Sequence, residues 1–532
     1  MWTEIPEHRR ATAWTEEAES ARDGAAPMER RMPALAPGTL YRMVAGVDPA
    51  PRPMTPAELA DLGDPMAGTF FRARKFPMTV QDVLAGLPAP GPTSPQSVYL
   101  IGEAGQIPPE RFPKLRRDLR FAITRGVAGR DIDLLVSTGA NGDPAKTFLQ
   151  VAAWDPVAKV FNYYMRITPT WVWSGNSWSA LAAESRGKAC FDSHVNGSVV
   201  MKELKLPWIN WQSQAATIQI APTDPLLKNP LYQQVTGAQN LEVSIRPLVR
   251  RWTAARIAHV TTGGTVDHPD HLLRQLVTTT TINLASTATQ SSGVTKDSPD
   301  LVLPVGFWLN NDALFDVLEI PSQAGAPAVR AALYVDSLTT FQFRLEEKAS
   351  GFTQPGDTFF AFVVPEAAYE DLDVVSQLID TEVLTARFVA CALMVDFTNP
   401  VFSPDRAHLM RYVPRVRTPV AGLSERIAGA IVAGAAGKPA SSPEAVFAAN
   451  WAVPERDWRT VFGARTDAYL GKVSARITTP TGFEDYTRLA ESRRRDFRRM
   501  KLNEFALTLP VTNIAANAPA LRMGEDGTVT VR

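Results

Sequence analysis

The chain has 532 residues, 45% of them hydrophobic and 21% charged, the balance of a folded globular protein and not of a disordered one. Its 55 Lys and Arg against 55 Asp and Glu give zero formal charge, so the basic excess that displaces counterions from nucleic acid is missing and nucleic acid is not an expected partner. The length exceeds what one ordinary core organises, so two or three packed units are expected.

Residues 1–10 have no basic patch followed by an apolar core, and no run approaches the roughly eighteen apolar residues of a membrane span. Only two cysteines occur, Cys190 and Cys391, too few for a disulfide framework or a four-cysteine metal site. A soluble protein of the reducing cytoplasm, with no membrane partner, is the expectation.

Residues 1–95 are rich in Pro, Ala and charge and read as an N-terminal arm and linker, closed by the proline-rich stretch 87–95. Residues 96–420 read as a β-rich core domain. Short apolar or alternating runs at 98–101, 132–137, 148–154 and 160–166 are bounded by Gly, Asn, Asp and Pro, and the last two form a hairpin. A second β-block is expected from 301 through 330–335, 341–345, 359–364 and 388–397. The polar strip 278–281 reads as an exposed strand face. Residues 421–532 read as a helical C-terminal region, with helices at 423–436, 443–451 and 485–505; a further helix is expected at 365–383. Arg493, Arg494, Arg495, Arg498 and Arg499 read as a solvated or subunit-facing basic face. The whole is of the α+β class: a β-rich central core with a helical C-terminal region, in several units.

The chemistry concentrates between Asn162 and Trp211. Five of the twelve tryptophans fall there, Trp171, Trp173, Trp178, Trp208 and Trp211, joined by Tyr163 and Tyr164. Such a cluster makes either a thick core or a wall for a flat ligand. Within it, Asp192 and His194 are spaced to share one face of a strand, as an orienting acid and a general base or as two metal ligands, with Cys190 on the same face as a nucleophile. His268 and His271, three apart, supply the best second source of metal ligands, although Asp267-His268-Pro269 also reads as a helix start. Arg166 and Arg186 are suited to holding an acidic substrate group.

The run Cys190-Phe191-Asp192-Ser193-His194 resembles the c-type haem attachment motif, Cys-x-x-Cys-His, with Ser193 where the motif has its second thiol. The text around it resembles a group of bacterial proteins, some of which carry the full motif. The resemblance implies one thioether anchor at Cys190 and an iron ligand at His194. Glycine-rich phosphate loops and a Gly-x-Ser-x-Gly elbow are lacking. The expected function is therefore an oxidoreductase-like bacterial enzyme of specialised metabolism, using haem or a transition metal. It would act on a small organic molecule in a pocket walled by Tyr164, Trp171, Trp173, Trp208 and Trp211. A cofactor-free enzyme using Cys190 and His194, and a non-catalytic binding or assembly protein, are the alternatives.

Overall fold

The computed structural model describes residues 35–90, 96–127, 131–199, 210–214, 216–286, 293–356, 362–500, 502 and 507–532. It is of the α+β class: an eight-stranded sheet followed by a helical C-terminal half. The strands are β1 (Leu40–Arg42), β2 (Arg52–Pro53), β3 (Ser97–Gly102), β4 (Leu119–Arg125), β5 (Leu134–Gly139), β6 (Leu149–Asp155), β7 (Val160–Ile167) and β8 (Thr170–Asn176). Their order across the sheet is β2-β1-β8-β7-β6-β5-β4-β3.

β3 to β8 form an antiparallel meander, as short alternating strands joined by tight turns do. The β6–β7 hairpin forms as expected. Asp155 opens its turn by accepting from the amides of Val157 and Ala158, each at 2.9 Å. β1 pairs in parallel with β8, Leu40 opposite Trp171. Residues expected to be an arm are thus strands of the sheet, because β8 would otherwise leave its ladder groups unpaired.

The principal helices are α1 (Ser177–Leu181), α2 (Leu241–Val260), α3 (Pro269–Val277), α4 (Tyr369–Asp380), α5 (Ala386–Leu393), α6 (Leu423–Gly434), α7 (Pro443–Ala452), α8 (Trp458–Arg476) and α9 (Pro480–Arg499). Two expected strands are helical: residues 330–335 lie mostly in Ala331–Thr340, and 388–397 begin in α5. Short apolar runs do not distinguish the two periods, and the Thr385 side chain caps α5 by accepting from the Phe388 amide. Pro365 sits in the strand Val364–Ala367 and not at a helix start.

The arginines of α9 also depart from the sequence reading. Arg493, Arg494 and Arg495 are buried, donating to the carbonyls of Phe307, Val363 and Ala515, while Arg494 also pairs with buried Glu491 at 3.1 Å. Guanidinium groups carry five donors, and chain-end and loop carbonyls inside the fold satisfy them.

Apolar side chains gather into two large cores. One runs from Leu40 to Trp252 beneath and around the sheet and takes in Tyr369; the other runs from Ile257 to Met523 among the helices. α2 belongs to both, giving Leu241, Ile245, Leu248, Val249 and Trp252 to the first and Ile257 to the second. No helix among the described residues is long and apolar enough to cross a membrane.

Candidate functional site

The aromatic segment divides into two environments. Trp171, Trp173, Tyr164 and Trp211 are buried in the sheet core, and none lines the cavity described below. The Trp171 indole donates to the Pro77 carbonyl at 2.8 Å and that of Trp173 to Asn162 at 2.9 Å. The Tyr164 hydroxyl donates to Asp64 at 2.6 Å. Their donors are spent inside the fold, the condition for burying such rings as core. Trp208 lies outside the described residues. Arg166 is likewise buried, its guanidinium donating to the carbonyls of Met78, Pro144 and Thr147, so it holds turns of the sheet together.

The expected strand through Cys190, Asp192 and His194 is instead a 3₁₀ turn, Ala189–Asp192, so spacing two apart does not place these side chains on one face. The His194 amide donates to the Cys190 carbonyl at 3.0 Å, and its ring lies 4.8 Å from that of Tyr163. His194 Nδ1 is 2.9 Å from the Ser198 carbonyl. Burial pushes the Cys190 thiol up to about 12, against a hydrogen bond with Ser174, so it is a neutral thiol at pH 7. Asp192 is exposed.

Immediately downstream, Val195 and Asn196 form part of the wall of a cavity of about 710 Å³. Its other walls are Trp178, Leu181, Ala182 and Arg186 from α1 and the following turn, Arg256 and His259 from α2, and His271, Arg274 and Gln275 from α3. Thr279 and Thr280 close one side, so the polar strip expected to be an exposed strand face lines a pocket. Helical spacing explains the convergence: positions 256, 259 and 260 share one face of α2, and 271, 274 and 275 share one face of α3. Trp178 stands against Trp252 and His259, with ring centroids 5.1 and 5.0 Å away.

Beneath the cavity is a buried polar cluster. Asp371 of α4 accepts from Thr280 Oγ1 at 2.7 Å, Gln275 Nε2 at 3.1 Å and Asn196 Nδ2 at 3.3 Å. Gln275 Oε1 in turn accepts from Arg256 at 2.6 Å, and the same guanidinium donates to the His271 carbonyl at 2.9 Å. Burial raises Asp371 to about 6, opposed by these donors. Burial lowers Arg256 to about 10, opposed by Asp371 and reinforced by Arg274 and Arg186.

The charge around the cavity is one-sided. Arg186 is lowered by burial and then by Arg274, and it donates to the Leu181 carbonyl at 2.7 Å. Arg274 has no ion pair or side-chain hydrogen bond among the described residues. At the rim, Arg417 faces Asp267 at 3.5 Å, both being well exposed. Four guanidinium groups, those of Arg186, Arg256, Arg274 and the rim's Arg417, therefore share one cavity, and Asp371 is the buried carboxylate that acts on Arg256.

His268, Asp270 and His271 stand at the same rim, where His268 is the N-cap of α3 and Pro269 its first residue. The helix start forms as expected, with His268 and not Asp267 at the cap. Of the sequence candidates, the structure thus gathers Arg186, His268 and His271 on one cavity. It keeps Cys190 and His194 together in a neighbouring turn and places Arg166 and the indoles elsewhere. Arg256, Arg274 and Gln275 escaped the sequence reading, though their helical spacing was the available signal. No protein-family model, curated protein or solved structure matches this chain.

Proposed function

We propose that this protein is a small-molecule enzyme whose substrate is an acidic organic compound held in the cavity between α1, α2 and α3. The observation that carries this reading is the convergence of Arg186, Arg256 and Arg274 on one cavity of about 710 Å³, a volume suited to a metabolite-sized ligand. Like-charged guanidinium groups repel one another, and a carboxylate or phosphate relieves that repulsion while accepting paired hydrogen bonds. Trp178 offers an apolar face to the rest of the molecule, and Asn196, Thr279 and Thr280 offer neutral hydrogen-bonding groups. His259 is an imidazole on the cavity wall placed to exchange a proton with a bound substrate.

The test is calorimetric titration of the purified protein with inorganic phosphate and with a small dicarboxylate such as succinate. Saturable binding that weakens in Arg186→Gln and Arg274→Gln supports the reading. Absence of binding by either anion class, or binding indifferent to both substitutions, overturns it.

A further inference from the structure

We infer that His268, Asp270 and His271 form a divalent transition-metal site at the cavity rim. Their ligand atoms, two imidazole nitrogens and a carboxylate oxygen, all lie within 4.8 Å of one another. His268 Nδ1 is 3.9 Å from Asp270 Oδ1, and His271 Nε2 is 3.9 Å from Asp270 Oδ2. The two rings stack at 4.9 Å between centroids with 18° between planes, so both project from the helix start in the same direction.

The carboxylate between them is unusual. Asp270 is only 14% exposed, and its Oδ1 is buried without a hydrogen-bond partner. An unpaired buried carboxylate oxygen costs free energy, and a cation is the partner this position lacks. Around a tetrahedral ion with bonds of about 2.1 Å, ligand atoms sit roughly 3.4 Å apart. Closing separations of 3.9 Å and up to 4.8 Å to that spacing needs shifts of about half an ångström to about 1.4 Å. The imidazoles are 56% and 57% exposed, so side-chain rotation supplies them without moving the backbone.

Donor chemistry narrows the metal. Two imidazoles with one carboxylate suit Zn²⁺, Co²⁺, Ni²⁺ or Fe²⁺, whereas Mg²⁺ and Ca²⁺ prefer oxygen ligands throughout. Three protein ligands leave further coordination positions open, and His268 and His271 line the cavity. The nearby guanidinium groups repel a bare cation, so an anion bridging metal and arginines strengthens both contacts. That bridging rests on the reading above; the metal site itself does not.

The experiment is a Co²⁺ titration of chelator-treated full-length protein, followed by visible absorption and calorimetry, without and then with inorganic phosphate. One equivalent should bind and develop ligand-field bands. His268→Ala, His271→Ala and Asp270→Asn should each weaken it by more than the about 10–100-fold that loss of an outer-shell partner costs. Unfolding curves of these variants confirm that they fold. Arg274→Gln should keep or tighten Co²⁺ binding while losing its response to phosphate. No Co²⁺ spectrum in the wild-type protein, or one unaltered by all three ligand substitutions, overturns the site. Co²⁺ binding with no effect of phosphate in any protein leaves the site standing and defeats the anion reading.

Discussion

Replacing Arg274 by glutamine separates a ligand-binding arginine from a structural one by the sign of its effect. Arg274 projects from α3 into the cavity, and its charge lowers both Arg186 and Arg256. Two like unit charges several ångström apart repel by on the order of 2 kcal/mol at an effective dielectric of about 20. Solvent at the cavity mouth reduces this to about 1 kcal/mol. Arg and Gln have nearly equal helix propensity, so the substitution costs little in α3. Ligand-free Arg274→Gln should therefore be as stable as the wild-type protein, or more stable by up to about 1 kcal/mol. With phosphate at a hundred times its Kd, the wild-type protein gains about 2.7 kcal/mol. The variant loses a charge-assisted contact of about 1.5–3 kcal/mol, lowering affinity roughly tenfold to a hundredfold and removing from about half to most of that gain at the same concentration. Urea unfolding with and without phosphate measures both quantities. A variant destabilised by more than about 1 kcal/mol without ligand, yet stabilised normally by phosphate, would refute the electrostatic reasoning.

Three further outcomes follow from buried or cavity-lining groups. Burial lifts Asp64 to about 6 from an ordinary 3.8, so its stabilising contribution is complete below 3.8 and lost as pH rises through about 6. The stability difference between wild type and Asp64→Asn should fall by on the order of 3 kcal/mol between about pH 4 and 7 by chemical denaturation, and a flat difference contradicts it. Glu444 behaves oppositely: burial opposes ionisation, but donation from Lys438, Tyr412 and His408 holds it at about 2, so its contribution is present above 4.5 and lost as pH falls through about 2. Glu444→Gln should destabilise the protein at pH 7 and converge with wild type in strong acid. Trp178→Ala should cost about 2 kcal/mol of stability for a partly buried ring while leaving phosphate binding intact, because guanidinium groups hold the anion; loss of phosphate binding in a folded variant would count against this.

How far the sequence carries depends on whether a feature is local. The β6–β7 hairpin was legible because alternation on both sides of Asp155-Pro156 fixes register and turn together. Residues 330–335 and 388–397 were misread as strands because a run such as Phe388-Val389-Ala390-Cys391 suits either period until its packing partners are known. The indoles of Trp171 and Trp173 advertised a thick aromatic region, but only their bonds to Pro77 and Asn162 show that region to be core. The cavity itself draws on residues 178–196, 256–280 and 417, so no spacing within one segment announces it. The His268 and His271 pair is the exception: two imidazoles three apart flanking a carboxylate are written in four consecutive residues.

The position of the cavity adds a physical reason to expect that a ligand there affects the whole molecule. α2 leaves the sheet core at Trp252 and enters the helical core at Ile257, and the cavity lies beside that passage. Trp178 and Leu181 pack against the first core, whereas Val266 and Leu272 belong to the second. The hydrogen bonds converging on Asp371 span the same seam, since Asn196 comes from the sheet side and Gln275 and Thr280 from the helical side. An anion gripped by Arg186 on one side and Arg274 on the other would tie the two cores together by the same route. Binding energy spent there opposes separation of the units and not merely local fraying, which is the energetic condition for coupling occupancy of the site to the stability of both.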